Sequence, residues 1–489
     1  MGNILQFLEI HNTKIQKGLF FILLSALSIH FIRMAFFAEG VLEPGDGITH
    51  FTIAQNAPRY PELYLDHWGK PLFTLLSSPF AQLGFEGMII FNVILFILTS
   101  YLLFKWGFDR LNPFAWTTPL LLLSSLIYFE MVNAGMTEIL FATLLTATIH
   151  LYLSKKFISG SILFSFSLFS RPEGLLIIPC LALYLVWKKQ YRAIPLLSFG
   201  FIIYSIVGYF YFKDFLWYFH NNPYPVSVPF YGKGEFLSFF KSNQTIWGPF
   251  MTLFSVMGII VLLVSFFSHK RKKAIEYTLL LVVPAAAVLL VHSYIWWKGI
   301  HGSLGLNRVI STVIPLFGMI SLLFLNYIHK LIKQTVFIQE KYKPSISLLF
   351  SLSICILLYT KNIRFSLLPV KETAMQQTLS EAANWYVSQN FTKKTYYMDP
   401  YFAFKAGLNP YETTKTGLMY AIDKENPALN LQQNDIIIWD SHFSPNDGGV
   451  SKEKIIQSPQ LEIIKTFKPK DPNTKINGNP YEIIISVVK

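Results

Sequence analysis

The chain has 489 residues, of which 52% are hydrophobic and only 14% charged, whereas soluble domains carry about 25% charged residues, so it lacks the polar surface to stay in water. Its formal net charge of +13 does not point to nucleic acid: the Lys and Arg sit in short clusters between apolar runs, the pattern that orients membrane helices, and no nucleic-acid recognition module is present.

The first apolar stretch, 18–37, follows Lys14 and Lys17 as a signal peptide would. It runs about 20 residues, and the bulky Phe36 stands where a cleavage after Ala38 needs a small side chain, so it reads as an uncleaved first span. Further spans are expected at 86–104, 115–130, 137–153, 158–170, 173–187, 193–212, 247–267, 276–296, 308–327 and 345–360, about eleven in all. The pieces 158–170 and 173–187 are short, so one of them is expected to be re-entrant or broken. Pro71–Leu83 is too short to span and is expected to dip in from outside. Cys180 and Cys355 each lie inside an apolar run, which excludes a disulfide framework or a cysteine metal cluster.

Charge sets the orientation. Lys14, Lys17, Lys105, Arg110, Lys155, Lys156, Lys188, Lys189, Arg192, the run Lys270–Lys273, Lys330 and Lys333 fall on one side, which reads as cytoplasmic. The alternate loops hold Glu39, Glu43, Asp46, Glu62, Asp66, Glu130, Glu138 and Glu173 and face outward. The N-terminus is then cytoplasmic and, with an odd number of spans, the C-terminus extracytoplasmic, in a multi-pass protein of the plasma or inner membrane.

From about Arg364 the composition changes. Helical periodicity over 372–391 is followed by short apolar strands at 395–398, 435–439, 461–467 and 481–488, separated by turn residues such as Asn446-Asp447-Gly448-Gly449. The expected fold class is therefore an α-helical polytopic membrane protein, residues 1–363, with a small extracytoplasmic α/β domain, residues 364–489.

Four polar groups stand out on the outer side. Glu43-Pro-Gly-Asp46-Gly sets a carboxylate between two glycines, and His67-Trp-Gly-Lys70-Pro71-Leu72 heads the dipping piece. Together they fit a general base and a phosphate site, and equally an ordinary hydrated loop. Thr137-Glu138 begins a span, where a carboxylate is favoured by the helix dipole alone. In Ser170-Arg171-Pro172-Glu173-Gly174 two charges lie between short apolar pieces, at about 2.5–3.5 kcal/mol each unless paired, so a local Arg171–Glu173 contact is one reading. Trp296-Trp297-Lys298-Gly-Ile-His301-Gly-Ser-Leu-Gly-Leu-Asn307-Arg308 joins a glycine-rich loop to an arginine at a helix start, which suits an anion. Asp440 and His442, at a strand end, read as a turn rather than a metal site.

In their order and common side these pieces resemble the GT-C glycosyltransferases, specifically the protein O-mannosyltransferase and aminoarabinose transferase group (glycosyltransferase family 39-like). That group has an acidic residue in the first outer loop, then a Lys-Pro-Pro-Leu-type motif, then an Arg motif before a late span. The matching positions are Asp46, Lys70-Pro71-Leu72, and Asn307-Arg308-Val309 with Pro315. Thr137-Glu138-Ile-Leu and Ser170-Arg171-Pro172-Glu173-Gly174 resemble motifs of the GPI mannosyltransferases of the same superfamily. The likeness covers roughly residues 15–325. The chain departs from the pattern where Gly47 replaces a second acidic residue, Leu72 a second proline and Val309 a tyrosine.

The resemblance implies an inverting hexosyltransferase, with mannose the sugar it suggests, that draws on a polyprenyl-phosphate sugar among the membrane lipids. A lipid-linked donor suits an outward site, since nucleotide sugars stay in the cytoplasm. By the same resemblance Asp46 is the catalytic base toward a glycan, lipid or protein acceptor. Lys70, Arg308, His301 and Arg171 hold the donor phosphate, and Glu43, His67, Glu138 and Glu173 support them. No cofactor is implied with certainty, and a divalent metal ion stays open. The alternative is a transporter or flippase for a lipid or glycan precursor. That function would place polar residues at mid-membrane on broken helices, whereas here they gather at one face.

Overall fold

The computed structural model describes residues 2–110, 112–223, 232–335, 342–366, 369–476 and 478–489. The chain is a multi-pass membrane protein. Among the described residues six helices are long and apolar enough to cross a bilayer: Lys14–Phe37, Phe85–Phe108, Tyr191–Phe212, Gly248–Phe266, Arg271–Lys298 and Asn307–Gln334. A seventh crossing is counted if the pair Ala115–Leu123 and Leu126–Val132, bent by 86°, is one span. The run 115–130, expected as one straight span, breaks at a serine pair. Ser124 turns its hydroxyl back onto Leu121 O at 2.6 Å, and the Ser125 hydroxyl accepts from the Tyr128 amide to start a new helix. Glu138–Leu153, Phe157–Phe169 and Gly174–Trp187 are apolar helices of only 10–17 residues, as is Pro71–Ala81, the piece expected to dip. The eleven expected runs are thus helical, and among the described residues length and composition qualify six, or seven, as crossings.

The helices pack as membrane helices do, by close approach of small residues and by buried hydrogen bonds rather than by hydrophobic drive. A Cβ on Gly258 would lie 2.2 Å from Ile320 O, so only glycine lets Gly248–Phe266 meet Asn307–Gln334. Asn92 donates to Met131 O and Met136 O, and Thr99 and Thr143 share a hydrogen bond at 2.8 Å. Phe20 stacks on Phe104 with ring centroids 4.0 Å apart.

The chain divides into two compact units, one of residues 1–36 and 57–368, the other of residues 37–56 and 369–489. In the second, the first-loop segment is built into the α/β fold. Glu39 and Gly40 donate to Val370 O, Gln376 donates to Val41 O at 2.6 Å, and Asn409 donates to Asn56. Gly40 has no room for a Cβ, which would fall 2.7 Å from Lys371 O. The helix Ala374–Ser388 opens with a capping box between Thr373 and Gln376.

Among the described residues seven strands follow: β1 Thr395–Tyr397, β2 Thr416–Leu418, β3 Ile436–Asp440, β4 Leu461–Phe467, β5 Lys475–Ile476, β6 Asn479–Pro480 and β7 Ile483–Val488. Five form a sheet in the order β2-β1-β3-β7-β4, with β1 parallel to β2 and β3, and β7 antiparallel to β3 and β4. The core gathers Tyr396, Met419, Ile437, Trp439, Ile484 and Val488. The four expected strands are β1, β3, β4 and β7, and Asp440 ends β3 in the expected turn.

The register Thr395↔Ile436, carried past the end of β1, sets Asp399 alongside Asp440. Both are buried. Asp399 accepts from the Phe402 amide, and Asp440 accepts from the amides of His442, Phe443 and Ser444 and from the Ser444 hydroxyl. Burial, then the Asp440 charge, push the Asp399 carboxyl up to about 8.

Between about pH 4 and 8 the folded chain therefore holds a proton at Asp399 that the unfolded chain has released. Stability of this unit falls as pH rises across that window, by at most about 1.4 kcal/mol per pH unit, and levels off above it. Hydrogen exchange of the β1 and β3 amides in the full-length protein, corrected for intrinsic rates, should show the slope, and Asp399→Asn should abolish it. Protection independent of pH in the native chain would contradict the assignment.

Candidate active site

Two groups of charged residues in the first unit contain expected site residues. The first is built at helix ends. Glu138 is the first residue of Glu138–Leu153, Glu173 precedes Gly174–Trp187, and Arg308 sits in the tight helical turn Asn307–Val313 that leads into Ile314–Gln334. Arg171 lies at the centre. Its Nε donates to both Glu173 oxygens at 3.1 Å and its Nη2 to Oε1 at 2.8 Å, while Nη1 donates to Thr137 Oγ1 at 3.1 Å and meets Glu138 Oε1 at 2.6 Å. The same Glu138 oxygen is 3.7 Å from Arg308 Nε, and Glu173 Oε1 is 3.2 Å from His292 Nε2. The glutamate side chains are 0% and 2% exposed, the arginines 11% and 12%.

Two carboxylates and two guanidiniums thus balance in charge. That balance is what lets them persist here, since a lone buried ion costs several kcal/mol. The expected Arg171–Glu173 contact is present, but it is half of a longer chain. With Nε, Nη1 and Nη2 all engaged by Glu173, Thr137 and Glu138, Arg171 acts first as a crosslink between helix ends.

The second group surrounds Lys70. Asp66 accepts from the Gly69 amide at 2.6 Å, closing a tight turn that sets Lys70 at φ 60 before Pro71 opens the helix Pro71–Ala81. A non-glycine residue in that region costs roughly 1–3 kcal/mol. Lys70 is buried and its ammonium donates to His67 O at 3.0 Å. The His67 ring stacks on Tyr218 at 4.4 Å, and its Nε2 pairs with Tyr218 O at 3.0 Å. Burial and then Lys70 hold the His67 imidazole down at about 4, so it is neutral at physiological pH and adds no positive charge to the site. Burial raises the Asp66 carboxyl above its ordinary value, against the Gly69 amide and Lys70.

Tyr218 ties the groups together. Its hydroxyl donates to Leu168 O at 3.0 Å, three residues before Arg171, and its ring meets Phe169 edge-on. Neither Tyr218 nor His292 was singled out by sequence reasoning. His292, an ionisable side chain within the expected span 276–296, carried a signal by that placement alone; Tyr218, in an aromatic-rich stretch, carried none.

His301 is exposed on the turn after Trp296-Trp297, where Gly299, His301, Gly302 and Gly305 all take positive φ. Gly305 must be glycine because a Cβ would strike the Trp296 indole. Asp46 and Glu43 belong to the second unit. Asp46 opens the helix Asp46–Asn56, and the Gly47 amide donates to Glu43 O at 3.0 Å. Among the described residues no three His, Cys, Asp or Glu are arranged to hold a metal ion.

No protein-family model and no curated protein matches this chain in sequence. Solved structures match its fold. ArnT from Cupriavidus metallidurans bound to undecaprenyl phosphate aligns with a TM-score of 0.59 at 10% identity, covering 95% of this chain and 97% of ArnT. The apo form of the same protein gives a TM-score of 0.60 at 9% identity, with the same coverage. The archaeal oligosaccharyltransferase AglB from Archaeoglobus fulgidus, in complex with an inhibitory peptide and a dolichol-phosphate, gives 0.53 at 12% identity, over 87% of this chain and 70% of AglB. Identities this low speak to architecture alone: the chain shares the fold of these membrane proteins.

Proposed function

We propose that this chain is a membrane glycosyltransferase that moves a sugar from a polyprenyl-phosphate donor to an acceptor hydroxyl, with mannose the first sugar to test. The observation that carries the reading is two locally restrained cations, Lys70 at φ 60 and Arg308 beside Glu138, in a chain that shares its fold with ArnT bound to undecaprenyl phosphate. In the reaction the acceptor oxygen attacks the anomeric carbon, with inversion, and its proton passes to Asp46. The bond from that carbon to the phosphate oxygen breaks, and its electron pair stays on the phosphate. Lys70 and Arg308 offset the charge that develops there. The remaining residues divide by environment: Arg171, Glu138 and Glu173 hold the arginines in place, neutral His67 shapes the Lys70 turn, and His301 lies on the loop leading to Arg308.

Two substitutions test the phosphate role. Lys70→Gly removes the ammonium while accepting φ 60 without strain, so the fold is kept and the donor binds about tenfold or more weakly. Arg308→Ala acts in the same direction. Donor binding unchanged in both would make these cations structural. Asp46→Asn keeps the size of the base and removes its function, so turnover drops by about 10²–10⁴-fold with donor affinity nearly unchanged. Glu43→Gln, measured beside it, decides between the two carboxylates, and normal turnover in both folded variants would take this loop out of the chemistry.

A further inference from the structure

The arginine assigned to the donor phosphate faces a carboxylate. Glu138 Oε1 is held at 2.6 Å by Arg171, and Arg308 Nε approaches the same atom at 3.7 Å. Arg171 is in turn anchored from behind by Glu173, which His292 also meets. Glu138 is therefore a negative charge held beside Arg308, the cation for which a phosphate would compete with it.

The proposed reaction changes the charge of that phosphate. In the donor it is a diester with one negative charge. When the bond to the anomeric carbon breaks, the pair left on oxygen makes it a monoester, which carries about −1.5 to −2 at neutral pH. The product thus binds cations more strongly than the substrate did. Two buried arginines without a counter-charge would hold it and slow the next turnover.

Resting on the glycosyltransferase reading, we propose that Glu138 competes with the freed carrier phosphate for Arg308 and so governs release of the carrier. Glu173 and His292 serve this by fixing Arg171, which fixes Glu138. Glu138 is a positioning residue that touches neither the sugar nor the acceptor.

The test is equilibrium binding of undecaprenyl phosphate to the purified full-length protein, with folding checked by thermal unfolding. Glu138→Gln removes the competing charge at constant size, so undecaprenyl phosphate binds about tenfold or more tightly, kcat falls, and added undecaprenyl phosphate inhibits more strongly. Glu138→Asp withdraws the carboxylate by one methylene and shifts affinity the same way by less, which keeps the test open if the glutamine variant does not fold. Weaker binding in a folded Glu138 variant would overturn the proposal, because a carboxylate that only scaffolds Arg308 loses the phosphate when it is removed. Native protein that is folded yet binds no undecaprenyl phosphate would instead remove the glycosyltransferase reading, and this proposal with it.

Discussion

The constraint on which the first unit depends is that charges placed among apolar helices must be paired. Glu138 and Glu173 have almost no exposed surface, and each is met by Arg171 within 2.8 Å. A buried ion left without its partner costs several kcal/mol, so each charge is tolerated only while the others stay in place. The chain His292–Glu173–Arg171–Glu138–Arg308 therefore acts as a crosslink between helix ends, alongside buried hydrogen bonds such as Thr99–Thr143. The shortness of Glu138–Leu153 and Gly174–Trp187 is in keeping with this, since each begins at a charge it could not carry deeper into lipid.

A strained turn provides the other fixed point. Asp66 accepts from the Gly69 amide, Lys70 takes a left-handed φ, and Tyr218 clasps His67 on one side and Leu168 on the other. Strain of this kind persists only where the surroundings over-determine it, and such places concentrate at functional sites. The second unit applies different physics. Its mixed sheet buries a row of Ile and Trp side chains on β3, and its first-loop segment is held by backbone hydrogen bonds and by Gly40, where no side chain fits.

Much of this was legible in the sequence because membranes impose simple rules. Apolar runs gave helices, and short apolar runs between turn residues beyond Arg364 gave β1, β3, β4 and β7. The short β2 was missed because Thr416-Gly417-Leu418 has too few residues to show a period. The break at Ser124-Ser125 was missed because serines inside an apolar run do not lower its hydropathy enough to register. The residue pairs Arg171–Glu173 and Lys70–Pro71 were visible as local motifs. The link from Arg171 to Glu138 and Arg308, and the packing of Tyr218 under His67, join residues far apart in the chain, and no local pattern encodes them.

The central claim is that a polyprenyl-phosphate sugar is the substrate. It is tested most directly by incubating the purified protein with a panel of polyprenyl-phosphate sugars and an envelope extract as acceptor, and measuring free polyprenyl phosphate against sugar transferred. The account predicts that at least one donor releases carrier phosphate in equal amount to sugar transferred, and that Asp46→Asn suppresses both together. Folded, active-concentration protein that leaves every donor intact, or that moves intact donor across a vesicle membrane without cleaving it, would contradict it.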